Sequence, residues 1–354
     1  MNVPLSVIPA SPPPPPAAEA RAAGRGGTLR DAHGRRIHDL RLSVTDRCNY
    51  RCVYCMDPDF RYLPKQALLS LEAYLDIAAA CVELGIRKVR ITGGEPTLYP
   101  MLDPLIEGLA KLGLDDIAMT TNGSLTNVDN ARRWADLGLN RVTFSLDSVR
   151  PERVRAITRA TTGPETVIGA IRACRAAGLD PIKVNAVIIR GTNDDELADL
   201  ASFAREHAVD VRLIEFMPLD SSRAWDRSHV VPADEMLERI RAAHDLVPVG
   251  DADPSSTSVN FTFPDGCGRI GVIAPVSRPF CGACNRLRIT ADGKVRPCLF
   301  STQEWDLGPV VRGGGDRAAI GDFIADAVWT KQAGHGIGSD DFQPPARTMS
   351  AIGG

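Results

Sequence analysis

A parallel α/β fold is predicted by three features of the sequence. Between residues 37 and 217, six short β-branched runs alternate with amphipathic stretches of about a dozen residues. Several of these stretches stop at a glycine, the usual helix terminator: Gly85, Gly113, Gly138 and Gly178. Successive βα units require strands that run parallel, in an open doubly wound sheet or in a complete or partial barrel. Periodicity alone does not choose between these architectures.

Residues 1–36 contain the run Pro12 to Pro16, followed by Ala, Gly and Arg with almost no large apolar side chain, and are expected to be a disordered tail. The arginines also fit an organelle transit peptide, against which Glu19, Asp31 and the early prolines speak. Strands are predicted at 39–45, 88–92, 117–121, 141–146, 182–189 and 211–216, with helices at 71–84, 102–112, 129–137, 166–177 and 194–207. These elements make up a barrel unit over 37–228. The rhythm then changes to a helix at 233–243, a hairpin pairing 259–263 with 269–273, and a second hairpin around 291–294. Residues 229–354 are expected to form a smaller module packed against the first, ending in a Gly-rich stretch and Gly353-Gly354.

With 354 residues, 44% of them hydrophobic, the chain can build a large core without disulfides. Lys and Arg number 41 against 44 Asp and Glu, a net charge of -3 that argues against a protein held on nucleic acid by bulk charge. No run approaches the length of a membrane span and no apolar secretory segment opens the chain, so a soluble, cytoplasmic protein is expected. In that compartment nine cysteines point to metal or catalysis rather than disulfides.

Cys48, Cys52 and Cys55 form Cys-x3-Cys-x2-Cys directly after the first strand. Three thiolates on so tight a loop suit three irons of a [4Fe–4S] cluster and leave the fourth iron open to a small molecule. Cys281, Cys284 and Cys298 form a second set. Spacing alone allows either a second cluster with an open iron or a closed zinc staple completed by Cys267. Cys81 and Cys174 sit in amphipathic helices beside alanines and read as small core residues.

The first triplet, with Tyr54 just before its last cysteine, resembles the signature of the radical S-adenosylmethionine (SAM) superfamily. Thr92-Gly93-Gly94-Glu95-Pro96 is similar to that superfamily's segment for the SAM amino group. Further segments are Leu42-Ser43-Val44-Thr45-Asp46-Arg47-Cys48, Thr120-Thr121-Asn122-Gly123, Phe280-Cys281-Gly282-Ala283-Cys284-Asn285-Arg286-Leu287-Arg288 and Met349-Ser350-Ala351-Ile352-Gly353-Gly354. Together they resemble the GTP 3',8-cyclases known as molybdenum cofactor biosynthesis protein A, from about Ile37 to the C-terminus. Asp57, inserted between Met56 and Pro58, is a small departure. Cys267 is not a ligand position in that family, which favours the three-cysteine second site.

The cations point the same way independently. Lys88 and Arg90 are two apart on one predicted strand, as are Arg286 and Arg288 on another, so each pair shares a face. Arg41 and Lys183 add to the set. Such cations are costly in a covered sheet unless ion-paired or facing a wet, anion-binding cavity, and a polyphosphate suits them. The resemblance implies GTP contacts at Arg41, Arg90, Thr121, Lys183 and the Arg286, Leu287, Arg288 segment, and SAM contacts at Tyr54, Gly94, Ser145 and Met217. It implies an incomplete (β/α)6 radical SAM barrel whose open side the C-terminal module covers, two [4Fe–4S] clusters, and a Gly353-Gly354 tail that reaches into the active site. Without it, two terminal glycines read as a frayed end.

The implied chemistry is reductive cleavage of SAM at the first cluster. Hydrogen is then taken from C3' of GTP, and the resulting carbon attacks C8 to give 3',8-cyclo-7,8-dihydro-GTP. The implied partners are GTP, a low-potential electron donor, a second copy of the chain in a homodimer, and the cyclic pyranopterin monophosphate synthase that receives the product. Two rival readings are a radical SAM peptide-modifying protein, which would carry more C-terminal cysteines, and a non-catalytic zinc-stapled nucleotide-binding module.

Overall fold

The computed structural model describes residues 28–220, 225–250, 253 and 255–353. The Pro12 to Pro16 run and Gly354 lie outside the described residues. The six expected strands form as β1 (Asp39–Ser43), β2 (Lys88–Thr92), β3 (Asp116–Thr121), β4 (Arg141–Ser145), β5 (Lys183–Ile188) and β6 (Asp210–Glu215). They pair in chain order, all parallel. A doubly wound sheet would reverse its order part-way. Unbroken sequential order with right-handed crossovers puts every helix on one face and curls the sheet into a barrel wall.

Alternation within each strand divides that wall. Leu40, Leu42, Val89, Ile91, Val184 and Ala186 are buried against the helices, while Arg41, Arg90 and Asn185 between them are only half-buried on the opposite, lumenal face. The helices Leu71–Glu83 and Pro164–Ala176 end at Gly85 and Gly178, whose φ values of +97° and +77° suit glycine. A helix at Pro151–Thr158, absent from the sequence reading, begins on Pro151 and buries only Val154, Ile157 and Thr158, too short a stripe to show as a period.

The C-terminal strands continue the barrel sheet at both edges. β9 (Arg269–Ile273) adds parallel to β6 and carries β8 (Val259–Thr262) and β7 (Val247–Val249) antiparallel beside it. β10 (Arg286–Ile289) adds parallel to β1 and carries β11 (Lys294–Arg296) and β12 (Trp305–Asp306). The rhythm change near 228 therefore marks no separate sheet, because main-chain hydrogen bonds cross it on both sides. Glu215, fully buried at the end of β6, accepts from the backbone N–H groups of Ala233, Val276 and Ser277 and ties the later segments down.

One correction concerns the tail. Residues 28–36, expected to be disordered with the rest of 1–36, are packed. Leu29 is buried in the core, and Arg35 pairs with Asp31 at 2.6 Å. Arg35 also donates to the carbonyls of Cys281, Ala333 and Gln332 at 2.7–2.9 Å. A single leucine and an arginine with carbonyls on another segment supply the docking, and neither gives a local sequence signal.

Candidate active site

The first cysteine loop leaves the carboxyl end of β1 and is held by backbone bonds. Arg51 N–H donates to Thr158 O and Val53 N–H to Ile157 O, both at 2.9 Å, while Cys55 N–H closes a turn on Cys52 O. The Gly-Gly-Glu segment after β2 lies against it, Gly94 N–H donating to Thr45 O and Glu95 N–H to Arg47 O at 2.7 Å. A Cβ on Gly94 would come within 2.4 Å of the Arg47 carbonyl oxygen, so only glycine permits this approach. Glu95, fully buried, accepts from Thr97, from the Thr121 hydroxyl at 2.6 Å and from Asn122 N–H at 2.8 Å. Asp57 opens a tight turn, accepting from Asp59 N–H at 2.8 Å, so the inserted residue is absorbed beyond the triplet.

Cys48, Cys52 and Cys55 line one cavity with Tyr54, Gly94, Ser145 and Met217, all the residues expected to meet SAM. Tyr54 donates to Asp147 Oδ2 at 2.7 Å, and Val187 N–H donates to Asp147 Oδ1 at 2.8 Å. Burial pushes the thiols of Cys48 and Cys55 up to about 11 and about 12, so metal entry must displace their protons.

A second cavity, sharing Thr120, Asn185, Ile214, Met217 and Met349 with the first, is lined by Arg41, Arg90, Arg286, Arg288 and the three remaining candidate ligands Cys281, Cys284 and Cys298. The strand register makes Arg288, Arg41 and Arg90 cross-strand neighbours in one row over β10, β1 and β2. Burial, and then the neighbouring Arg288 and Arg286, lower the Arg41 pKa; burial, then Arg141 and Arg41, lower that of Arg90. Like charges opposite one another destabilise a sheet, so this row stores repulsion that an anion relieves. Arg41 Nε and Asn185 Oδ1 are buried without a protein partner, further evidence of a polar ligand.

The two triplets sit at opposite ends of the barrel. The first follows the last residue of β1, whereas Cys284 lies two residues before Arg286, which pairs with Asp39 at the start of β1. The five residues of β1 separate those ends by about 13 Å. Burial pushes the Cys284 thiol up, but Lys331 and Arg286 outweigh it and bring it down to about 6. Cys267 is exposed in the hairpin turn between β8 and β9. Among the described residues no three His, Cys, Asp or Glu converge tightly enough for a single metal ion. Cys267 stands apart from the cavity that Cys281, Cys284 and Cys298 line, which speaks against a zinc staple closed by it, and each thiolate of a cluster binds a separate iron. Both triplets thus fit a [4Fe–4S] cluster held by three cysteines.

Three expected GTP contacts are placed differently. Thr121 lines the cysteine-loop cavity and gives its hydroxyl to Glu95. Leu287 alternates away from its arginine neighbours into the hydrophobic layer. Lys183 begins β5, opposite Asp210 in register and outside both cavity linings; burial, then Arg212 and Arg141, bring it down to about 7. Asn185, Arg212, Lys331 and His335 line the basic cavity and were not anticipated. The first two could have been read from polar residues at lumenal positions of predicted strands, but Lys331 and His335 follow the helix Arg317–Trp329 with no local pattern.

The C-terminal tail joins the two cavities. Met349 lines both, and Gly353 is buried between Ser43 and Thr92.

A Radical SAM superfamily model matches residues 42–204, and a Molybdenum Cofactor Synthesis C model matches 209–337. The chain is 45% identical to the GTP 3',8-cyclase of Rhodopirellula baltica, over 92% of each chain. The chain belongs to the GTP 3',8-cyclase family. The Mycolicibacterium smegmatis GTP 3',8-cyclase is 43% identical over 95% of both chains. Streptococcus suis SuiB bound to its precursor peptide superposes with a TM-score of 0.57 at 15% identity, covering 84% of this chain and 66% of that one, a likeness of fold alone. A GTP 3',8-cyclase family member of the radical SAM superfamily works with [4Fe–4S] clusters and SAM, in agreement with the chemistry of both donor sets.

Proposed function

We propose that this protein converts GTP to 3',8-cyclo-7,8-dihydro-GTP, the first step of molybdenum cofactor biosynthesis. The observation that carries the reading is the inward row Arg288, Arg41, Arg90 facing Cys281, Cys284 and Cys298 across one cavity. A polyphosphate answers the arginines, and an open iron answers the base. When bound, the first cluster and SAM supply one-electron cleavage of the sulfonium and abstraction of a hydrogen atom from the ribose.

The chain's own residues do the rest. Cys48, Cys52 and Cys55 hold the first cluster. Gly94, Ser145, Met217 and the Tyr54 to Asp147 pair shape the SAM pocket. Arg41, Arg90, Arg286 and Arg288 anchor the phosphates, while Cys281, Cys284 and Cys298 hold the second cluster at the far end of the lumen. Thr121 acts through Glu95 in holding the loop that meets SAM, and Lys183 adds long-range positive potential. Arg212 and Asn185 complete the polar lining. The tail through Gly353 closes the space between the cavities and excludes water.

A cytoplasmic homodimer that takes electrons from a low-potential donor and passes its product to cyclic pyranopterin monophosphate synthase completes the proposal. Among the described residues no helix is long and apolar enough to cross a membrane. Iron analysis with equilibrium GTP binding tests the assignment: about eight irons per chain, and GTP affinity weakened on the order of tenfold to a hundredfold in Arg41→Ala, are expected. Zinc bound with Cys267 as a ligand would refute it.

A further inference from the structure

Lys331 follows the helix Arg317–Trp329 and is 2% exposed. Its Nζ donates to the carbonyl of Arg286 at 2.9 Å and to the carbonyl of Pro297. Among the described residues no carboxylate comes within ion-pair distance of it. A buried ammonium with only two carbonyl dipoles for company is costly, so the fold keeps it for an anion.

The anions at hand are thiolates. Arg286 stands two residues after Cys284, and Pro297 immediately precedes Cys298, so one ammonium grips both halves of the second triplet. Lys331 also lines the same cavity as those cysteines. Arg286 approaches Cys284 as well, Nη2 to Sγ at 3.5 Å, but it belongs to the arginine set that a triphosphate would recruit. Lys331, tied to two carbonyls, stays with the cysteines.

We infer that Lys331 is a positioning residue for the second cluster and that its charge sets that cluster's reduction potential. The inference rests on the second triplet as ligands. Reduction adds one electron from the reductant and no bond changes partner, so a fixed cation beside the thiolates favours the reduced form. Net charge and hydrogen bonding around the sulfurs are the levers on such potentials.

The test is a redox titration of the anaerobically reconstituted full chain, followed by electron paramagnetic resonance, in wild type, Lys331→Gln and Lys331→Arg. In Lys331→Gln the reduced-to-oxidised ratio of the second cluster at a set potential falls about tenfold, equivalent to 59 mV for a one-electron couple. Lys331→Arg stays close to wild type, and the first cluster is unmoved in both. Loss of the second cluster in Lys331→Gln with retention in Lys331→Arg also supports the role of charge. An unshifted Lys331→Gln, equal shifts in both variants, equal shifts of both clusters, or loss of the second cluster in both variants would overturn it. A wild type carrying only one cluster removes the ligand assignment itself, and the inference with it.

Discussion

Arg288 donates from Nη1 to the carbonyl oxygen of Gly353 across 3.1 Å, inside the barrel. One guanidinium thus belongs to the inward arginine row and also holds the end of the chain. Gly353 has φ +84°, and a Cβ there would meet Ser43 Cβ at 2.7 Å and Thr92 Oγ1 at 2.8 Å. The tail fits only as bare backbone, between the ends of β1 and β2.

Gly353→Ala is therefore expected to displace the tail while sparing both triplets. Formation of the cyclised product should fall at least tenfold, with iron content and GTP affinity near wild type. Deleting Gly353 and Gly354 should do the same. Full activity in the deletion variant would mean that the tail is merely a frayed end.

Ala replacement of Arg41, Arg90, Arg286 or Arg288 removes a charge-assisted contact worth roughly 1.5–3 kcal/mol, on the order of tenfold to a hundredfold in GTP affinity. Leu287→Ala, between two of them but fully buried in the core, should instead cost roughly 2–5 kcal/mol of stability. Denaturant unfolding and GTP binding together separate the two classes. Equal loss of GTP affinity in Leu287→Ala would contradict the alternation on β10.

Much of this was legible in the sequence because strands alternate. Once β1 and β2 are placed, Arg41 and Arg90 must share the face opposite Leu40, Leu42, Val89 and Ile91. The same rule, applied to Leu287, puts its side chain in the hydrophobic layer, and applied to Asn185 and Arg212 puts theirs on the lumenal face. The edges were not legible. Parallel pairing of β10 with β1 joins segments about 250 residues apart in sequence order, and that of β9 with β6 segments about 60 apart; local pattern carries no record of such pairing. Arg35 and Lys331 act through carbonyls of distant segments, which leave no spacing to read.

Lys183 gives a pH-dependent prediction. With its pKa brought down to about 7, it is mostly neutral at pH 8, and a bound triphosphate favours its charged form. GTP binding at pH 8 should take up a proton, and affinity should fall as pH rises above about 7. Calorimetry in two buffers of different ionisation enthalpy measures the uptake, which should shrink in Lys183→Met. Identical uptake in that variant would assign the proton elsewhere.

The two triplets should fail differently. Cys52→Ser is expected to abolish SAM cleavage, whereas Cys284→Ser should retain cleavage to 5'-deoxyadenosine and lose cyclisation. Chromatography of both products in each variant checks this, and parallel loss of both activities in the two variants would count against a division of labour.

The most direct measurement incubates the anaerobically reconstituted wild type with reductant, SAM and each nucleoside triphosphate in turn, and quantifies 5'-deoxyadenosine and cyclised nucleotide. Both products are expected in quantity with GTP, and cyclised nucleotide with no other triphosphate. SAM cleavage without any cyclised GTP, or equal cyclisation of every triphosphate, would contradict it.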